Sequence, residues 1–181
     1  MQPNNSVDSV ICETQRLILR KFEESDAPAI YRFRSDPEVM RFSIHGPATK
    51  EGVQEYLRSC ASRYGRDGLG QWAVILKSDG SCIGECGICV QEVDGSKEYE
   101  ISYRLRRDCW GRGFATEATQ ACRDYGFQTA NLSRLVSIIE PENIASIRVA
   151  EKMGMKPEKH ASFHGIATVI YSISKVPSVQ S

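Results

Sequence analysis

Tyr99-Glu100-Ile101-Ser102-Tyr103-Arg104-Leu105, continued by Arg106-Arg107-Asp108-Cys109-Trp110-Gly111-Arg112-Gly113-Phe114-Ala115, is the stretch whose reading decides the fold. Its first seven residues alternate as a strand does, with Glu100, Ser102 and Arg104 on one face with Glu98, and Tyr99, Ile101, Tyr103 and Leu105 on the other. A loop with two glycines follows, and then small residues at helical spacing: Ala115, Ala118, Cys122 and Tyr125 predict a helix over 113–128. Glycine lets the main chain come close to a ligand because no Cβ intervenes. The first amides of a helix lack partners and carry partial positive charge. A strand, a glycine loop and a helix start therefore make a seat for an anion, with Arg106, Arg107 and Arg112 around it.

Two nucleotide loops are excluded. A Walker loop needs Gly-Lys-Ser/Thr, which the chain lacks. A dinucleotide fingerprint needs a third glycine where Thr116 stands, inside an alternating parallel unit. Here an antiparallel meander precedes the loop: strands are expected over 71–77, 82–93 and 98–106, joined at Asp79-Gly80 and Asp94-Gly95.

Working outward, Arg16-Leu17-Ile18-Leu19-Arg20-Lys21-Phe22 alternates as a first strand. Ser25 is the expected N-cap of a helix that carries Ile30 and Phe33 and closes at Pro37. Thr49 caps a second helix, with Val53, Tyr56, Leu57, Cys60 and Tyr64 at helical spacing. Beyond the loop helix, a short buried strand is expected over 134–140 and a helix over 143–153, ended by Gly154. Two last strands, 156–163 and 167–175, complete an α+β order in one layered domain.

The 181 residues, 41% apolar and 25% charged, suit a single globular domain. Twenty-three basic side chains balance 23 acidic ones, which argues against nucleic acid or an anionic membrane as partner. No apolar run approaches a membrane span, and the first residues show no signal pattern. Seven cysteines, an odd number, do not form a disulfide framework; the chain reads as cytoplasmic. Cys86-x-x-Cys89 and His160-x-x-x-His164 lie about seventy residues apart, which no zinc-finger spacing matches. No metal is expected.

Trp110-Gly111-Arg112-Gly113-Phe114-Ala115-Thr116-Glu117-Ala118 resembles the pyrophosphate loop of the GNAT superfamily of N-acetyltransferases, and within it the branch that acetylates ribosomal-protein amino termini (RimJ/RimL-like). Arg16 to Arg20 resembles that family's first strand and Gln71-Trp72-Ala73 its second. Asn143-x-x-Ser146-x-Arg148-x-x-Glu151-Lys152-x-Gly154-Met155 resembles its second cofactor motif. The likeness runs from about Glu13 to Lys175. It implies the acyl-CoA N-acyltransferase fold: a mixed, mostly antiparallel sheet with a splayed central strand pair and about four helices. Residues 14–176 would form the N-acetyltransferase domain, between a flexible tail at 1–13 and another at 177–181. The family often has Gln or Arg where Asp108 stands, which shifts phosphate contact to Arg106, Arg107 and Arg112.

The resemblance implies an enzyme that moves an acetyl group from acetyl-CoA to a primary amine. The pantetheine arm would lie along the main chain of Tyr103, Leu105 and Arg106. The diphosphate would rest on Gly111, Arg112, Gly113, Phe114, Ala115 and Thr116. Asn143 would contact pantetheine, with Arg148 and Lys152 near the phosphates. A protonated amine has no lone pair, so the reaction needs a base. Glu100 is the candidate, with Glu98 as substitute; the other reading of Glu100 is a carboxylate paired to Arg104. Ser146 is the candidate partner of the departing thiolate, or simply the third residue of a helix that Asn143 caps. Tyr31, Phe42, His45 and Trp72 are candidates for the acceptor side, with Phe42 and Trp72 also readable as core. No cysteine has a His partner in the sequence, so direct attack in a ternary complex is expected. The acceptor is a protein amino terminus or a metabolite, polyamine or drug amine; a non-catalytic CoA-binding sensor or interaction module is the reading of another class. The protein is expected to be a monomer or homodimer.

Overall fold

A computed structural model describes residues 9–176. Eight strands form one sheet: β1 (Val10–Glu13), β2 (Leu17–Arg20), β3 (Gly70–Leu76), β4 (Cys82–Val93), β5 (Ser96–Leu105), β6 (Arg134–Ile139), β7 (Lys156–Phe163) and β8 (Ile166–Ser174). Four helices flank it: α1 (Ala27–Arg34), α2 (Lys50–Asp67), α3 (Phe114–Gln128) and α4 (Ile144–Lys152). The spatial order is β1-β2-β3-β4-β5-β6-β8-β7, and only β5 and β6 run parallel. This is the mixed, mostly antiparallel sheet with four helices expected from the sequence.

Alternation divides the core between the two faces. Trp72, Val74, Cys86, Ile88, Ile101 and Leu105 pack beneath Phe114, Ala118 and Cys122 of α3, Ala150 of α4 and Met153, which caps α4. On the other face Ile30 and Phe33 of α1 meet Val53 and Leu57 of α2. Cys86 and Cys89 fall on opposite sides: Cys86 Sγ lies 3.3 Å from Cys122 Sγ under α3, whereas Cys89 Sγ accepts from Gln71 and Arg63.

The interruption between β5 and β6 shapes everything functional. β4 and β5 pair along their whole length, from Gly84↔Leu105 to Val93↔Ser96, but β5 and β6 share the single register position Glu100↔Val136. Arg106 N–H donates to Ile83 carbonyl on β4 at 2.8 Å. Because main-chain direction alternates in an antiparallel pair, Ile101, Tyr103 and Leu105 turn theirs the other way, toward β6. The Ile101 carbonyl accepts from Ser137 Oγ at 2.9 Å and the Leu105 carbonyl from Trp110 Nε1 at 2.8 Å. The N–H and C=O of Tyr103, between them, face the gap where β6 has departed.

Two expectations need correction. Residues 10–13, read as tail, form β1, which pairs with β2; residues 1–8 and 177–181 lie outside the described residues. Ser25 does not cap α1. The chain enters through a 3-10 turn, Glu24–Asp26, in which the Asp26 carboxylate accepts from Glu23 N–H at 2.8 Å and from the Arg20 fork at 2.7 and 2.8 Å. A charge-assisted fork outweighs a lone hydroxyl cap.

The close approach of β3 to β4 depends on Gly87, where an added Cβ would stand 2.0 Å from the Gly70 carbonyl oxygen. Gly87→Val is expected to destabilise the protein by about 3 kcal/mol or unfold it, since main chain cannot yield as a side chain can. Gly65→Ala, on an open helical position with nothing within 4 Å, should instead stabilise by about 0.5–1 kcal/mol. Urea midpoints measure both.

Candidate active site

A cleft of about 1250 Å³ runs from the first turn of α3, through the β5–β6 gap, to the loop before α2 and the β7–β8 turn. One end is built for an anion. Gly113 caps α3 at φ 80° without a side-chain cap, a conformation that favours glycine. The first helical bond is Glu117 N–H to the Gly113 carbonyl at 3.0 Å. The amides of Phe114, Ala115 and Thr116 therefore have no intrahelical acceptor, and all three residues line the cleft.

The loop is held by a residue read from the sequence only as the start of a strand. Arg16 donates from Nε to Glu117 Oε2 at 2.6 Å and from Nη1 to the Arg112 carbonyl at 3.0 Å. Its guanidinium lies 4.4 Å from the Phe114 ring centroid. Thr14 donates to the same Glu117 carboxylate at 2.5 Å. The clasp ties α3 to the turn between β1 and β2 and gives the Arg112 carbonyl a partner.

The arginines divide. Arg106 forks onto Asp108, both contacts at 3.0 Å, and its N–H is taken by β4. Arg107 lies 3.6 Å from Asp36. Neither lines the cleft, so the expectation of phosphate contact at Arg106 and Arg107 is corrected: nearby carboxylates claim both. Arg112 does not line the cleft either, but it lies 4.9 Å from the Phe114 centroid at the cleft's edge and has no ion pair among the described residues. Arg148 and Lys152, one turn apart on α4, line the cleft, likewise unpaired among the described residues.

In the middle, Asn143 Oδ1 accepts from Ser146 N–H at 3.2 Å and caps α4. Ser146 Oγ accepts from Tyr103 Oη at 3.3 Å. Burial pushes the Tyr103 hydroxyl up to about 12, although Ser146 pulls the other way. Sequence reasoning valued Tyr103 for its main chain alone and missed this hydroxyl.

The far end is polar and largely buried. Glu100, 8% exposed, accepts from Gln91 Nε2 at 2.8 Å. Burial raises its pKa; the Gln91 amide and the Arg104 charge offset this only in part. The reading that pairs Glu100 with Arg104 fails, because Arg104 Nη1 donates to Glu85 Oε1 at 3.0 Å. Glu98 is claimed by Arg134 at 3.1 Å and does not line the cleft. Phe42 and His45 do; burial, followed by Arg34 and Arg104, lowers the His45 pKa. Trp72 does not: it is fully buried under α3, 5.2 Å from Tyr125. Tyr31 packs against the α1–α2 cluster instead.

Glu85 was not singled out in the sequence. Wholly buried, it receives Arg34 Nε and Nη2 at 3.0 and 2.8 Å, Arg104 at 3.0 Å and Tyr56 Oη at 2.7 Å. Its one signal was a lone carboxylate in the otherwise uncharged run Cys82–Val90. Burial alone would raise this carboxyl, but Arg34 and Arg104 together outweigh it and hold it below the ordinary value. The network joins α1 and α2 to β4 and β5 beside the cleft.

Comparison with known proteins bears on the family and the fold. Residues 16–156 match the family model described as an acetyltransferase (GNAT) domain. The uncharacterized N-acetyltransferase YnaD of Bacillus subtilis is 34% identical over 145 residues, 80% of this chain and 82% of that one. The crystal structure of a GNAT-family acetyltransferase from Bacillus anthracis superposes with a TM-score of 0.76 at 29% identity, over 90% of this chain and 96% of that one. RimL, a ribosomal L7/L12 alpha-N-protein acetyltransferase in complex with coenzyme A, superposes with a TM-score of 0.77 over 91% of this chain and 97% of that one. At 18% identity it shows the shared fold alone.

Glu85→Gln should cost about 3–5 kcal/mol, because Arg34 and Arg104 lose a buried counter-charge. The depressed carboxyl stabilises the fold above its unfolded value, near 4.5, and that contribution is lost as pH falls through the lower folded value. Urea titrations at pH 7 and at pH 3 should therefore show the gap between wild type and variant narrowing with acid.

Proposed function

The chain belongs to the GNAT acetyltransferase family, and from that membership we propose that it transfers the acetyl group of acetyl-CoA to a primary amine by direct attack, with Glu100 as base. The observation that carries the reading is the Tyr103 main chain, facing a gap between an anion seat and a buried carboxylate of raised pKa.

The residues fit the co-substrate at three points. The free amides of Phe114, Ala115 and Thr116 receive the diphosphate, with Arg112, Arg148 and Lys152 as mobile cations. The N–H and C=O of Tyr103 receive the amide-bearing pantetheine arm as an added strand would. Asn143, whose Oδ1 is spent on Ser146 N–H, keeps its amide donors for the same arm. Acetyl-CoA supplies an acyl carbon already activated as a thioester.

The chain's own groups move the protons. The amine arrives as an ammonium, and Glu100 takes one proton, freeing the lone pair that forms the C–N bond. As the C–S bond breaks, the second nitrogen proton passes to the departing thiolate, which leaves as the thiol, and the first stays on Glu100. Ser146, held by the Tyr103 hydroxyl, faces that sulfur. With its pKa near 12, Tyr103 stays protonated and polarises Ser146 rather than surrendering a proton. The charge developing on the thioester oxygen meets a main-chain amide of the splayed strand; one such donor contributes about 3 kcal/mol.

Direct attack is favoured over an acetyl-cysteine intermediate because the cleft's thiols are poor nucleophiles. Burial pushes Cys89 up to about 11 and also raises Cys109, beside Asp108; only the thiolate attacks. An α-amine, with a reference pKa of about 7.8, gives up its proton more readily than a lysine amine at about 10.4. The same carboxylate thus serves an α-amine better.

Glu100→Gln should lower kcat by about 100-fold or more while the Kd for acetyl-CoA changes little, because Glu100 lies beyond the gap from the anion seat. The base must be ionised, so wild-type kcat/KM should fall with acid along a limb centred above 4.5. That limb should vanish in the variant; a variant with wild-type turnover and the same limb would remove Glu100 from the mechanism. Gly113→Val should abolish acetyl-CoA binding in calorimetry, since valine resists φ 80°. Undiminished affinity in the folded variant would refute the seat.

A further inference from the structure

The inner wall of the acceptor end carries more positive than negative charge. Three guanidinium groups line it, Arg34, Arg63 and Arg104, with the Glu100 carboxylate, and Glu85 lies wholly buried behind them. Arg34 spends Nε and Nη2 on Glu85, and its guanidinium carbon lies over the Tyr56 ring, 3.5 Å from its centroid. Arg104 gives Glu85 only Nη1, leaving Nε and Nη2 for a ligand. Arg63 has no carboxylate among the described residues; its one recorded bond is Nη1 to Cys89 Sγ at 3.6 Å. Cys89 is the register partner of Glu100 across the β4–β5 ladder, so the unpaired guanidinium stands beside the candidate base.

A second, independent feature lies next to it. Gln71, 4% exposed, donates from Nε2 to Ser102 Oγ at 2.6 Å, while its Oε1 is buried without a partner. A buried acceptor left unpaired is costly and calls for a donor. An ammonium group with three protons supplies one.

We propose that the acceptor is a small amine that also bears a carboxylate, as a free amino acid does: Arg63, with the unspent side of Arg104, holds the carboxylate, and Glu100 and Gln71 receive the amine. This rests on the reading of the cleft as an acetyl-transfer site. A carboxylate fits a guanidinium fork in plane through two parallel bonds. Its charge also offsets the excess that the wall carries, in full where Glu100 is ionised and in part where it is neutral. A polyamine would bring further positive charge against Arg63 and Arg104; the other carboxylates that line the cleft are Glu38 and Glu55 on the exposed rim, which solvent screens, and the half-buried Glu140 just past the end of β6. The lowered pKa of His45 fits the same excess: after burial its largest causes are the guanidinium groups of Arg34 and Arg104, with Arg63 adding to them.

The test measures release of free coenzyme A thiol from acetyl-CoA by the full chain. The acceptors are free amino acids, each beside its own primary amide, together with spermidine and a neutral amino-terminal peptide. At least one free acid should exceed its amide in kcat/KM by about 10- to 100-fold, the loss of a charge-assisted pair, mostly through KM. Arg63→Gln should shrink that ratio severalfold and Arg63→Lys should restore part of it, with thermal unfolding verifying that both variants fold. Amides, spermidine or the peptide matching or exceeding every free acid would overturn the proposal while leaving acetyl transfer intact. So would an acid preference that Arg63→Gln leaves unchanged. If no amine accelerates thiol release, acetyl transfer itself falls, and this inference with it.

Discussion

Along one edge of β5 the hydrogen bonding to its neighbour stops half-way, and the site exists because of it. From Ser96 to Leu105 one edge of the strand is paired with β4, while the other meets β6 only around Glu100 and Val136. Main-chain donors and acceptors left open inside a protein must be satisfied, and an extended, amide-bearing ligand satisfies them as a strand would. Ser137 and Trp110 bound the opening by occupying the carbonyls of Ile101 and Leu105, so Tyr103 is the residue left to serve it.

Around that opening the same strand separates two chemistries by alternation. Its Tyr103 side chain reaches Ser146 on the α4 face, and its Glu100, Ser102 and Arg104 face α1 and α2. One period-two repeat thus sets the leaving-group side against the base side without a loop being needed to span the sheet. The Arg16–Glu117 clasp at one end and the Glu85 network at the other are long-range ties. They hold the anion seat to the β1–β2 turn and the acceptor wall to β4 and β5.

The sequence carried much of this. The alternation from Tyr99 to Leu105, the two glycines before a small-residue helix, and the hairpin turns at Asp79-Gly80 and Asp94-Gly95 are local signals, and the elements they predict are present within a few residues. Ser25 failed as a cap because its competitor, Asp26, draws strength from Arg20 on another element. Arg106 and Arg107 were read as phosphate ligands because a sequence shows charge but not which carboxylate lies nearest. Trp72 was offered as an acceptor residue, yet strand parity places it beneath α3 with Tyr125.

What the chain fixed by itself was periodic and short-range: strand and helix types, the open amides at Gly113 and the main-chain chemistry of the loop, because each depends on neighbours within a turn or a hairpin. What only the tertiary structure decided was pairing at a distance. Glu85 gathers Arg34, Tyr56 and Arg104 from three other elements, Arg16 reaches across to Glu117, and Arg63 is left without a counter-charge among the described residues. Such partnerships follow from which strands lie side by side and how far one splays, and no local propensity records that.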